Sequence, residues 1–133
     1  MQKIARRTLI RDGSIAASVA TLATLDAVNA AAKKEEDGNV FHVFAFQWKS
    51  GTSEAEKDRA TKAIAAFQGQ IPGLLQTHVG PNISPRGKGY TFGGVMLFKD
   101  QTSLEAYFQH PAHQDLLKWL VPLIDAIELD LRA

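Results

Sequence analysis

The chain has 133 residues, 45% of them hydrophobic and 22% charged, which is enough for one folded domain with a real core. It contains no cysteine, so a disulfide framework and a thiolate metal site are both excluded. A formal net charge of +1 without a basic stripe argues against nucleic-acid binding, and no apolar run reaches the ~18 residues of a bilayer span.

The N-terminus reads as a targeting segment. Arg6, Arg7 and Arg11 precede a mildly apolar stretch from Ile15 to Leu25, and small residues follow at Ala30, Ala31 and Ala32. That is the layout of a secretory signal, with cleavage expected near Ala30 or Ala32. The adjacent arginines resemble a twin-arginine export signal, with Leu9, Ile10 and Arg11 standing where that pattern has Phe, Leu and Lys. The bland alternative is an amphipathic or disordered arm. The expected layout is a signal over 1–32, a short charged leader over 33–39, and one domain over 40–133, exported to a bacterial periplasm or beyond the cell. Residues 1–32 hold four of the 15 basic and two of the 14 acidic groups, so the remainder carries a net charge of −1. With the signal gone, no association with a membrane or with nucleic acid is expected.

Val40 to Lys49 reads as a first strand. Val40, His42, Phe44, Phe46 and Trp48 fall on one face and Phe41, Val43 and Ala45 on the other, so both faces are apolar and both need cover. Ser53 to Ile71 reads as a helix opened by the capping box Ser53/Glu56, with Ala60, Ile64, Phe67 and Ile71 as its apolar stripe and Pro72-Gly73 as its stop. Leu75 to Gly80 is a short second strand, and the Pro- and Gly-rich stretch from Gly80 to Gly89 is a loop. Tyr90 to Lys99 is a third strand, in which Gly93-Gly94 indicates a bulge or a close approach of another backbone.

Thr102 to Leu120 is a helical region capped by Ser103 or Thr102 and interrupted at His110-Pro111. Proline suits a first helical turn, so Pro111 marks a restart. Ile127, Leu129 and Leu131 alternate with Glu128, Asp130 and Arg132 in a final strand. The order β-α-β-β-α-β predicts an α+β, ferredoxin-like, four-stranded antiparallel sheet with helices on one face. The other face keeps large apolar side chains, so two sheets packed face to face in a two-fold homodimer are expected.

This order, together with Phe41-His42-Val43, the loop Gly80-Pro81-Asn82-Ile83-Ser84-Pro85, Gly89-Tyr90-Thr91 and Tyr107…His110-Pro111-Ala112-His113, resembles the stress-responsive α/β-barrel domain family, also called dimeric α/β barrels. The resemblance covers about Val40 to Leu131. It implies a dimer whose sheets form a barrel. The family includes a plant polyketide cyclase that uses a tyrosine and a histidine of the corresponding helix, with further histidines on the sheet. His42, Tyr107 and His113 match those positions. Phe92 stands where the family commonly has a histidine, which removes one polar group from the crevice.

The residues themselves allow two readings of Tyr107 and His113. A histidine titrating near neutrality can remove a proton next to a carbonyl while a tyrosine hydroxyl donates to the enolate oxygen. Alternatively, His113 bonds a backbone group and orders the restart while Tyr107 is core. His42 either lines the crevice or is a satisfied core histidine. His110 reads as a helix-boundary residue. It lies three residues from His113, as metal ligands can, yet no further ligand stands at matching spacing and no metal site is expected. Arg86 to Gly89 reads as a solvated hairpin tip, and Trp48 and Trp119 as core or interface anchors. No cofactor motif is evident. Two functions follow: an exported homodimer binding a small apolar ligand between sheet and helices, or a cyclase or isomerase acting on a carbonyl (polyketide-like) substrate through His113 and Tyr107.

Overall fold

The computed structural model describes residues 38–133. The expected export signal over 1–32 and the leader up to residue 37 lie outside the described residues. β1 (Val40–Trp48) is the strand to which the others attach. It pairs antiparallel with β3 (Phe92–Phe98) on one side and β4 (Ile124–Arg132) on the other, and β2 (Leu74–Pro81) pairs antiparallel with β3. The strand order is β2-β3-β1-β4. Three helices complete the domain: α1 (Glu54–Ala65), α2 (Gln101–Gln109) and α3 (Pro111–Leu120), the last followed by a single 3-10 turn (Val121–Leu123). This is the expected α+β ferredoxin-like arrangement, with the second helical region divided in two.

The period-two pattern of β1 separates the two faces as expected. Val40, His42, Phe44 and Phe46 are buried against the helices, while Phe41, Val43 and Ala45 are half-buried on the opposite face. Met96 and Phe98 of β3 are fully buried beside them, and Ala60, Ile64, Leu104, Leu116 and Leu120 close the layer from the helices. On the open face, Ile127, Leu129 and Leu131 of β4 remain about half exposed, at 48%, 53% and 51%.

The helix ends show which local signals won. At α1 the Ser53 hydroxyl accepts from the Glu56 N–H (3.1 Å), and the Glu56 carboxylate accepts from the Ser53 N–H (2.9 Å). The helix stops at Ala65, short of the expected Ile71. Its last turn tightens, with the Phe67 N–H bonded to the Ile64 carbonyl, and Gly69 then takes a left-handed φ of +82°. Phe67 and Ile71 stay buried even so. The cap of α2 is Asp100, whose carboxylate accepts from the Ser103 N–H at 2.7 Å, and not Ser103 or Thr102. A carboxylate at a helix N-terminus outcompetes a neutral hydroxyl there.

β3 begins at Phe92; of the expected first residues, Tyr90 serves the preceding loop, its N–H bonded to the Gly87 carbonyl, while Thr91 already bonds the Phe46 carbonyl of β1. The Asn82 side chain donates to the Tyr90 carbonyl (2.7 Å) and accepts from the Ser84 N–H (2.9 Å). Gly94 answers the question posed by the double glycine with a close approach. A Cβ there would fall on the tip of the Phe44 ring and 2.5 Å from the His78 carbonyl oxygen. The sheet's irregularity lies instead in β2, between Leu74 and Gln76.

Candidate functional site

Three elements deliver the three residues singled out from sequence to one place. His42 comes from the helix-facing side of β1, Tyr107 from the last turn of α2, and His113 from the first turn of α3. His110 makes this convergence happen. Its backbone is extended (φ −64°, ψ 136°), as the residue before a proline prefers, and it is both the last cap of α2 and the first cap of α3. Its ring Nδ1 accepts from the Ala112 N–H at 3.1 Å. The break turns α3 so that the Tyr107 and His113 rings lie 4.3 Å apart between centroids, and the His42 ring is 5.9 Å from Tyr107.

All three line a cavity of about 90 Å³ between β1, β4 and the helices, with Phe44, Phe46 and Leu116 among its apolar walls. Glu128 stands at the β4 side of the same space, and Val121 and Ala126 mark its solvent side. The residues are buried: His42 is 2% exposed, Tyr107 4% and His113 8%.

The polar atoms at this cavity are partly committed. His113 Nδ1 lies 3.3 Å from the Phe108 carbonyl oxygen, to which it donates. The expectation that His113 orders the restart through backbone is therefore met at one ring nitrogen, while Nε2 is left for the cavity. His42 Nδ1 lies 2.7 Å from the Asp130 carboxylate, its direct cross-strand neighbour. The acceptor there can only be the carboxylate, so Nδ1 carries the hydrogen and Nε2 is the free face of that ring. The Tyr107 hydroxyl has no hydrogen-bond partner among the described residues. Thr77 Oγ1 is the one buried side-chain polar atom without a partner among them, and Tyr107 lines the cavity.

Burial sets the protonation of the pair in opposite directions. It pushes the Tyr107 hydroxyl well above its ordinary value, and the nearby Glu128 charge adds to this. It pulls His113 below its ordinary value, against the smaller opposing effects of the Phe108 carbonyl and Glu128. At neutral pH the site therefore holds a neutral imidazole, able to accept at Nε2, beside a neutral phenol able to donate.

Sequence reading brought together His42, Tyr107 and His113 but missed Asp130 and Glu128. Both lie on the helix side of β4, opposite the aliphatic row it recognised, and the role of Asp130 depends on a register with His42, 88 residues away. The strict alternation of β4 was the available signal: polar residues opposite a buried histidine are partners in waiting. His78 also escaped notice. It is exposed on the open face of β2, directly across from Val95. No group of three or more metal-binding side chains occurs among the described residues.

The model of the stress responsive A/B barrel domain matches residues 40–131. A curated relative, a stress-response A/B barrel domain-containing protein of Arabidopsis thaliana, is 31% identical over 70 residues, which are 52% of this chain and 27% of that protein. The match thus spans only about a quarter of that relative's length. Among solved structures, a dimeric ferredoxin-like protein from Jannaschia sp. CCS1 superposes with a TM-score of 0.61 at 27% identity, covering 72% of this chain and 100% of the other. The hydroxynitrile lyase of Passiflora edulis superposes with a TM-score of 0.67 at 19% identity, covering 73% of this chain and 94% of the lyase, a likeness of fold alone. With its β-α-β-β-α-β sheet, its split second helix and a family match over nearly all of the described residues, the chain belongs to the stress responsive A/B barrel domain family.

Proposed function

We propose that this protein is a homodimer, joined through the open face of its sheet, that binds a small, largely apolar molecule bearing a carbonyl or hydroxyl oxygen in the cavity between sheet and helices. One observation carries the reading: the Tyr107 hydroxyl, without a hydrogen bond among the described residues, lines an apolar cavity beside a neutral histidine. A donor that opens onto an apolar cavity can bond a ligand oxygen there and fix the ligand's orientation. The half-exposed row Ile127, Leu129 and Leu131 and the dimeric state of the Jannaschia protein support the homodimer. The test is an NMR titration of butanone followed at the His113 ring. The reading predicts saturable shifts at His113 that weaken several-fold in Tyr107→Phe; shifts unchanged by that substitution would remove the hydroxyl from the site.

The opposed protonation of Tyr107 and His113 favours a second reading, in which bound carbonyl compounds are enolised. His113 Nε2 takes a proton from the carbon next to the carbonyl, that C–H pair becomes the enolate, and the Tyr107 hydroxyl donates to its oxygen. His42, held by Asp130, presents its own Nε2 to the same space. A hydroxynitrile lyase on this fold illustrates that the architecture can host chemistry on small molecules. Deuterium uptake by butanone in heavy water measures this step directly. Exchange at the rate of buffer alone would leave a binding protein without the chemistry.

The segment over 1–32 extends the proposal to cell location: an exported protein, processed near Ala30 or Ala32, supported by the twin arginines Arg6-Arg7 and the small residues after Leu25. N-terminal sequencing of material from the periplasm tests it, and an intact Met1 in the cytoplasm would refute it.

A further inference from the structure

The cavity is closed at one end by rings. Phe46 forms part of its wall, and behind it the Phe92 ring stacks on Phe46 at 5.5 Å and 16°, with Trp48 packed against both at 6.0 and 5.3 Å. Phe46 and Phe92 are each at most 5% exposed. Beyond these rings lies a second and larger space of about 350 Å³, lined by Trp48, Phe92, Lys57, Asp58 and Thr61. Phe46 borders only the first space, whereas Phe92 and Trp48 border only the second. The stack is thus the partition between the two. Ligand sites for drug-sized molecules run to ~300–1,000 Å³, and an engineered cavity of ~150 Å³ accepts benzene. On that scale the 90 Å³ beside Tyr107 and His113 buries about four or five non-hydrogen atoms.

We propose that the Phe46–Phe92–Trp48 stack sets the size of the ligand, so that the buried part is a compact aliphatic aldehyde or ketone and the multi-ring or long-chain carbonyl compounds of polyketide chemistry do not fit. This rests on the carbonyl-binding reading above and deepens it. Atoms beyond the first few must leave through the solvent side at Val121 and Ala126, where they gain little burial. Phe92 acts on size through Phe46, so it is a positioning residue for the wall and not a ligand contact.

The experiment is a series of linear methyl ketones, from acetone to 2-octanone, titrated into the full chain with the His113 ring as reporter. Each methylene that becomes buried should tighten binding about fourfold. Affinity should rise from acetone to butanone and then level off. In Phe92→Ala and in the gentler Phe46→Leu, the rise should continue to longer chains, because the partition toward the larger space is opened. Phe46→Leu keeps an apolar side chain in the wall and serves if Phe92→Ala does not fold. A rise that continues to 2-octanone in the wild type, or an identical plateau in a folded wall variant, overturns the proposal while leaving carbonyl binding in place. Failure of every ketone to move His113, in wild type and variants alike, would instead overturn the binding reading and this inference with it.

Discussion

Asp130→Ala is the substitution whose effect the structure fixes most tightly. It removes the acceptor 2.7 Å from His42 Nδ1 while the ring itself stays 2% exposed, so a buried N–H loses its partner. Leaving such a donor unsatisfied costs ~1–3 kcal/mol. The carboxylate side is 45% exposed, so water takes over part of its role and the lower half of that range applies. For a domain of this size ~1–2 kcal/mol corresponds to a fall in Tm of ~5–15 °C. Differential scanning calorimetry at neutral pH measures it. Asp130→Asn should fall between wild type and Asp130→Ala, since its amide oxygen can still accept the Nδ1 hydrogen. Glu128→Ala is the control: it lies on the same face of the same strand and has no hydrogen bond to His42, so it should stay within ~0.5 kcal/mol of wild type. If Asp130→Ala melted with Glu128→Ala, the His42–Asp130 pair would not be holding the ring, and the orientation of His42 toward the cavity would need another cause.

Three further outcomes follow from the same geometry. Folded His113 titrates below its unfolded value of about 6.5, so the unfolded chain binds more protons between the two; stability should fall as pH drops through that window, and His113→Gln should flatten the urea-midpoint profile there. Gly94→Ala should destabilise by ~1–3 kcal/mol in urea denaturation, because its Cβ would meet both the Phe44 ring and the fixed His78 carbonyl. Leu129→Glu places a charge in the middle of the half-exposed aliphatic row and should convert the proposed dimer to a folded monomer by light scattering, with unchanged helical circular dichroism.

Much of the fold was legible because its signals are local. Ser53 and Glu56 announce α1, Pro111 announces the start of α3, and the alternation of β1 separates its two faces. Where the reading erred, a neighbouring group competed. Asp100 displaced the hydroxyl residues as the cap of α2, and Gly69 let the chain after Ala65 turn while Phe67 and Ile71 kept their places in the core. The convergence of Tyr107 and His113 could be anticipated, since only a helix break separates them. The contributions of Asp130 and Glu128 could not, because strand register is decided by the whole sheet and no local pattern encodes which carboxylate meets His42. Cavity size was equally hidden: it depends on how Phe46, Phe92 and Trp48 stack, and a list of aromatic residues does not give a distance between rings.

In the proposed dimer the two faces of one sheet do different work: the helix-covered face shelters the cavity, and the open face meets a second copy. Sedimentation equilibrium of the untagged full chain across the low micromolar range tests that division most directly. The account predicts a single species of twice the chain mass, dissociating in Leu129→Glu. A stable monomer of the wild type at those concentrations, with Ile127, Leu129 and Leu131 left in water, would contradict it.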